Sequence, residues 1–165
     1  MAISPENQPI RVLRKMIAHC RTFQEWCGVG SWGAALDRIH YELQASTATR
    51  PFAVIRYGAS GNVPTAGGSR QFSLPWGVLG VIFEEDVATA DLDEHNKISD
   101  PGAITMAIQE RVQTIAAELF ELAGTDGMLA HIRRAEMPDG PALSDEDEND
   151  VYAQAVLEIE QGLEG

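Results

Sequence analysis

The chain has 165 residues, 44% of them hydrophobic, and sets 25 acidic against 12 basic side chains for a net charge of −13. That length and apolar content suit a single folded domain over 1–165 and exclude an intrinsically disordered chain. The charge excludes a protein that holds a nucleic-acid backbone by counterion release, and no apolar run approaches the roughly 20 residues of a membrane-spanning helix.

The first third reads as helical. Ser4-Pro5-Glu6 has the form of a cap followed by proline at the first helical position, with Pro9 able to delay the start. Ile10, Leu13, Ile17 and Cys20 then recur at helical spacing. Thr22 followed by Glu25 has the capping-box form, which predicts a fresh helical turn there. Gly28 and Gly30 interrupt it. Ser31 is placed to cap a further helix whose apolar residues are Leu36, Ile39, Tyr41 and Leu43.

The pattern then changes to strand. Pro51 to Gly58 is short, β-branched and aromatic, and ends in glycine. Residues 59–70 are broken by glycines and Pro64 and read as a loop of about a dozen residues, long enough to be a functional or interface loop. Gln71 to Val87 reads as strand again, apolar on both faces and therefore expected to be covered on both sides, with Pro75 and Gly77 marking a kink or bulge.

After an acidic connector from Ala88 to Ser99, Asp100-Pro101 opens the clearest element of the chain. Asp100 can cap, Pro101 presets the first helical residue, and Ile104, Ile108, Val112, Ile115, Leu119 and Leu122 form one apolar stripe up to an expected glycine cap at Gly124. Two strands are predicted to follow, Met128 to Met137 and Val151 to Glu160, the second alternating strictly between apolar and mostly polar residues. Between them, 138–150 reads as a second long loop ending in an acid run. The expected class is α+β: N-terminal helices, a mainly antiparallel β-sheet, and one long helix at about 101–123 packed on it.

The motif search yields no catalytic centre. Asp145, Asp147 and Asn149 have the spacing of the first calcium-loop ligands, but Asp150 stands where the turn glycine belongs and Val156 where the bidentate glutamate belongs. Asp91, Asp93 and His95 fail likewise. His19, Cys20 and Cys27 match no zinc spacing. Seven residues along one continuous helix separate Cys20 and Cys27 by about 10 Å, too far for a disulfide, so both are expected as buried thiols of a reducing compartment. Gly58-Ala59-Ser60-Gly61 lacks the nucleophile-elbow form, and Gly67-Gly68-Ser69-Arg70 lacks the lysine of a phosphate loop. His40 and His131 read as ordinary helix and strand residues. The three tryptophans, Trp26, Trp32 and Trp76, are not grouped as a stacking platform for bases. Met1 to Gln8 has none of the regions of a signal peptide, so synthesis and use in a cytosol, or in something assembled there, is the expectation. No catalytic residue, cofactor or metal ligand is predicted.

The order of elements resembles that of the small tail-completion proteins of long-tailed bacteriophages, in particular the tail terminators. The segments that carry the resemblance are Thr22 to Trp26 with Ala35 to Tyr41, the strand Arg50 to Ile55, Gly77 to Glu84, and the helix holding Glu118 to Gly124, closed by two strands. Together they span about residues 10–160, with no diagnostic motif among them.

The resemblance implies a virion structural protein, assembled in the host cytoplasm. It would form a six-fold ring that caps the tail tube and joins the head connector. Its partners would be further copies of itself, the tail-tube protein and the head–tail connector protein, with DNA passing through unbound and no membrane involved. Ser60, Asn62, Arg70, Asp145, Glu146, Asp147 and Glu148, in the two long loops, are the candidate interface or channel residues. Acid facing a channel would repel DNA within about one Debye length, roughly 8 Å, whereas acid without that role simply keeps the chain in solution. The competing expectations are a head-completion or neck connector protein, a small cytosolic binding module for a basic partner, and an enzyme with an unrecognised site.

Overall fold

The computed structural model describes residues 8–41, 49–64, 73–123, 130–137, 142–144 and 151–163; for 8–9, 57–64, 73–77, 130–134, 142, 144 and 161–163 it describes the backbone alone. Four helices and six strands are present among them.

Helix α1 runs Gln8–His19, with Pro9 in its first turn, where a missing N–H costs nothing. Leu13, Met16 and Ile17 form its buried side. Cys20 is extended (φ −66°, ψ 120°), and α2 starts at once as Arg21–Cys27. The capping box expected at Thr22 is not formed. Glu25 instead pairs with Arg21 at 2.9 Å, one helical turn back. The Thr22 backbone N–H donates to Glu118 Oε1 at 3.1 Å, so α2 takes its cap from a carboxylate 96 residues away. Gly28 ends α2 at φ +67°, the left-handed position that favours a residue without Cβ. Ser31 caps α3 (Trp32–Leu36) as expected, its hydroxyl accepting from Ala34 N–H.

That third helix is shorter than the spacing predicts. Ile39–Tyr41 is strand β1, paired parallel to β2 with Ile39 opposite Ala53 and Tyr41 opposite Ile55. Strand β2 spans Phe52–Pro64 and β3 spans Ser73–Asp86. The expected loop at 59–70 is therefore half strand. Ser60 pairs with Gly77 and Asn62 with Pro75, lengthening the antiparallel β2–β3 hairpin into an arm. Pro75 and Gly77 stay in register, and the irregularity falls on β2 between Tyr57 and Ala59, leaving Gly58 unmatched.

Helix α4 spans Pro101–Leu122, about 33 Å, with Asp100 Oδ1 accepting from Ala103 N–H at 3.2 Å. Ile108, Val112, Ile115 and Leu119 are fully buried, and Ile104 and Leu122 pack at the rim of the same cluster. Gly124, the expected cap, lies outside the described residues. Strand β4 is Ala130–Glu136 and β6 is Tyr152–Leu163. Between them the predicted loop contains a short strand, β5 (Ala142–Ser144), three residues being too few to register as a pattern.

The sheet order is β1-β2-β3-β6-β4, with β5 also paired to β6. Every pair is antiparallel except β1–β2. One face carries Ala53, Ile55, Leu79, Val81, Phe83, Ala153, Ala155, Leu157 and Ile159, all buried in one cluster with the apolar sides of α1, α2 and α4. This is the α+β arrangement expected from the sequence, with the long helix on a mostly antiparallel sheet. The cover expected over both faces of β3 is unequal. Leu79, Val81 and Phe83 are fully buried, whereas Val78 and Ile82 on the opposite face are half-exposed, and Arg56 lies across Gly80.

Candidate assembly surfaces

The predicted interface residues divide into two groups. Ser60 and Asn62 sit on the β2 arm, in register with β3. Arg70 and the acid run Asp145, Glu146, Asp147 and Glu148 lie outside the described residues. Beyond Ile55, where β1 ends its pairing, no described strand joins the outer side of β2. From Arg56 to Pro64 this edge is about 26 Å long. At the far side of the sheet β4 is bonded only to β6, so among the described residues its outer side is open too. An open edge presents unpaired N–H and C=O groups and is a template for another chain.

The buried polar groups serve the fold. Trp26 stacks on Phe83 with ring centroids 5.9 Å apart, and its Nε1–H donates to Glu85 Oε2 at 2.9 Å. Arg111 donates to the same oxygen at 2.8 Å and lies 4.9 Å over the Trp26 ring. These contacts tie α2, α4 and β3 at one point. On the other face of β3, Arg50 grips Glu84 Oε1 through Nε (2.8 Å) and Nη2 (2.6 Å), reaches Asp86 Oδ1 at 3.1 Å and covers the Tyr152 ring at 4.5 Å. Arg14 donates to the carbonyls of Leu36 (2.7 Å) and Ile39 (3.1 Å), locking the α3–β1 junction onto α1. None of these arginines could be assigned a partner from the sequence, because every partner is distant along the chain.

Among the described residues no group of three or more His, Cys, Asp or Glu side chains is placed to hold a metal ion. Asp93, part of the failed calcium pattern, uses Oδ1 to accept from the N–H groups of His95 (2.8 Å) and Lys97 (2.9 Å). The Lys97 bond is the main cause that holds its carboxyl below the usual range. Asp93 thus shapes a turn.

The two cysteines are free and buried. Cys20 Sγ–H points to Met16 O and Cys27 Sγ–H to Pro51 O. Burial, with Glu118 adding to it, pushes the Cys20 thiol far up, and burial pushes Cys27 up to about 11 against the opposing pull of Arg38. A thiol held protonated is a poor nucleophile. Both cysteines should therefore resist a thiol reagent at pH 8 in the folded protein and react once guanidinium unfolds it. Rapid labelling of either in the native state would contradict the packing.

His40, on β1, buries Nε2 without a described partner and sits edge-on to Phe52. Burial lowers its pKa first, then the positive charges of Arg14 and Arg38, with Asp37 pulling the other way. The unfolded state therefore takes up this proton first as pH falls below about 6.5. The contribution of neutral His40 to stability is whole above that value and is lost as pH falls toward the depressed folded value. His40→Gln should flatten the pH dependence of urea unfolding over that window. Parallel curves for the two proteins would rule the effect out.

A scan against protein-family models finds no match, and a search of curated proteins finds none with significant similarity. No described helix is long and apolar enough to cross a membrane.

Proposed function

We propose that this chain is a ring-forming virion structural protein that caps a phage tail tube and joins it to the head connector. The observation that carries this reading is the pair of sheet edges left open among the described residues, one along the β2 arm from Arg56 to Pro64 and one along β4. A subunit with two different open edges has what a head-to-tail contact needs, and head-to-tail contacts close into rings when the rotation between copies allows it. The arm bearing Ser60 and Asn62 supplies reach toward a neighbouring subunit or ring. The net charge of −13 suits a passage for DNA that must not stick.

The test is to mix the purified protein with tail tubes that lack their completion protein and image the tube ends. A ring at one end of each tube supports the proposal. A protein that stays monomeric and leaves tube ends bare defeats it. Binding to the portal side of heads, with tubes ignored, replaces it with a head-completion role.

A further inference from the structure

Helix α4 exposes large apolar side chains outside the side it buries. On the side of the helix away from its core stripe lie Met106, Glu110, Gln113, Ala117, Phe120 and Glu121, all exposed and spread over about a quarter of the helix circumference. Met106 is 61% exposed and Phe120 45%, and with Trp32 at 44% they are the exposed large hydrophobic residues among those described. Two such side chains on one helix face, about 21 Å apart along it, are separate apolar contact points, with Glu110, Gln113 and Ala117 between them and Glu121 beside Phe120. Neither Glu110 nor Glu121 forms an ion pair among the described residues, and the one arginine of the helix is turned to Glu85 and Trp26.

Helix α1 has the opposite character. It contains no acidic residue, in a chain where acids outnumber bases two to one. Arg11 and Lys15 are exposed, one turn apart, with no described ion-pair partner. His19 follows one turn later on the same stripe, and its ring stacks on Trp32 at 4.5 Å, which holds the exposed indole at the C-terminal end of that stripe. The result is a basic-aromatic patch on a molecule of net charge −13.

We infer that these two surfaces bind each other between copies of the chain: the outer face of α4, with Met106, Phe120, Glu110 and Glu121, docks on the Arg11–Lys15–His19–Trp32 patch of a second copy. The sign of the charge selects this occupant. Two copies at −13 each repel, and screening confines that repulsion to about 8 Å at physiological salt. Contact then requires a local patch of the opposite sign, and α1 is a described surface that offers unpaired cations together with an exposed aromatic. Trp, Met and Arg are residue types that interfaces favour. The two patches differ: made reciprocally between two copies, the contact is isologous and closes a dimer; made head to tail around an axis, it is heterologous and closes a ring. The inference stands on the helix faces alone and does not depend on the tail-tube reading.

Sedimentation over a concentration series tests it, at low and high salt. Wild type should self-associate, and high salt should weaken it. Arg11→Glu with Lys15→Glu, and separately Glu110→Lys with Glu121→Lys, should each weaken association by roughly tenfold or more. The four changes combined restore opposite signs and should restore association. All four positions are exposed, and circular dichroism checks that the variants fold. A monomeric wild type overturns the inference, as does association that neither charge reversal weakens or that the combined variant fails to recover. A dimer as the final species supports this contact and counts against the ring. Tube ends capped normally by the charge-reversed variants would keep the tail-tube reading and sink this one.

Discussion

Replacing Phe83 with alanine should cost about 3–5 kcal/mol, the range for deleting a fully buried aromatic side chain. The ring is fully buried near the C-terminal end of β3, and its cross-strand neighbours on the core face are both alanines, Ala53 on β2 and Ala155 on β6. One large ring thus fills the width of three strands. Phe23 meets it edge-on at 6.1 Å and Trp26 lies on it at 5.9 Å, so α2 rests on the sheet through this residue. With two small neighbours, little is near enough to collapse into the space. Total stability for a domain is typically about 5–15 kcal/mol, so the loss is a large share of it. Urea unfolding should show a lower midpoint with an unchanged slope. Phe83→Leu should recover much of the difference, and a cost under about 1 kcal/mol for alanine would mean the cluster is not packed this way.

The second large effect is expected at Arg50. Its guanidinium makes two bonds to one oxygen of Glu84 and stacks over Tyr152, and the two charged side chains are only 17% and 12% exposed. Removing one partner of a buried pair leaves the other charge without compensation, worth about 3–5 kcal/mol when burial is complete. The pair keeps a little solvent contact, so about 2–3 kcal/mol is the expected cost of Arg50→Ala. Lysine cannot reproduce the planar fork and should recover less than half of it. Glu84→Gln in the Arg50→Ala background should be milder than the sum of the single changes, because the orphaned charge is gone. Additive effects in that double-mutant cycle would show that the pair carries no coupling.

Much of the architecture was legible because several local signals agreed. At α4, the Asp100 cap, Pro101 and a six-residue apolar stripe all pointed to one helix, and that helix formed. At β6, strict alternation from Val151 to Ile159 matched alternating burial residue by residue. The misses have physical causes. Leu36, Ile39 and Leu43 imitate a helical stripe, but Ile39–Tyr41 is drawn into the sheet by parallel pairing with β2, which no local pattern encodes. Gly58, Gly61 and Pro64 imitate a loop, yet the backbone pairs through them because β3 continues opposite. Of the candidate interface residues, Ser60 and Asn62 were placed on a projecting element of the wrong kind. The α1 and α4 outer faces were passed over, because a charged stripe or a lone methionine in a helix gains meaning only once the buried side is known.

The place of β6 in the sheet sets a timetable. It is the last strand described, yet it lies between β3 and β4 and bonds to both, and to β5 as well. As the chain leaves a ribosome, the helices and the β2–β3 hairpin emerge with nothing to close them. Strand β4 follows and has no neighbour to join until β6 arrives. The last dozen described residues turn two separate pieces into one sheet, so a nascent chain halted before Tyr152 would carry bare strands, exposed to proteases and to other unfinished copies.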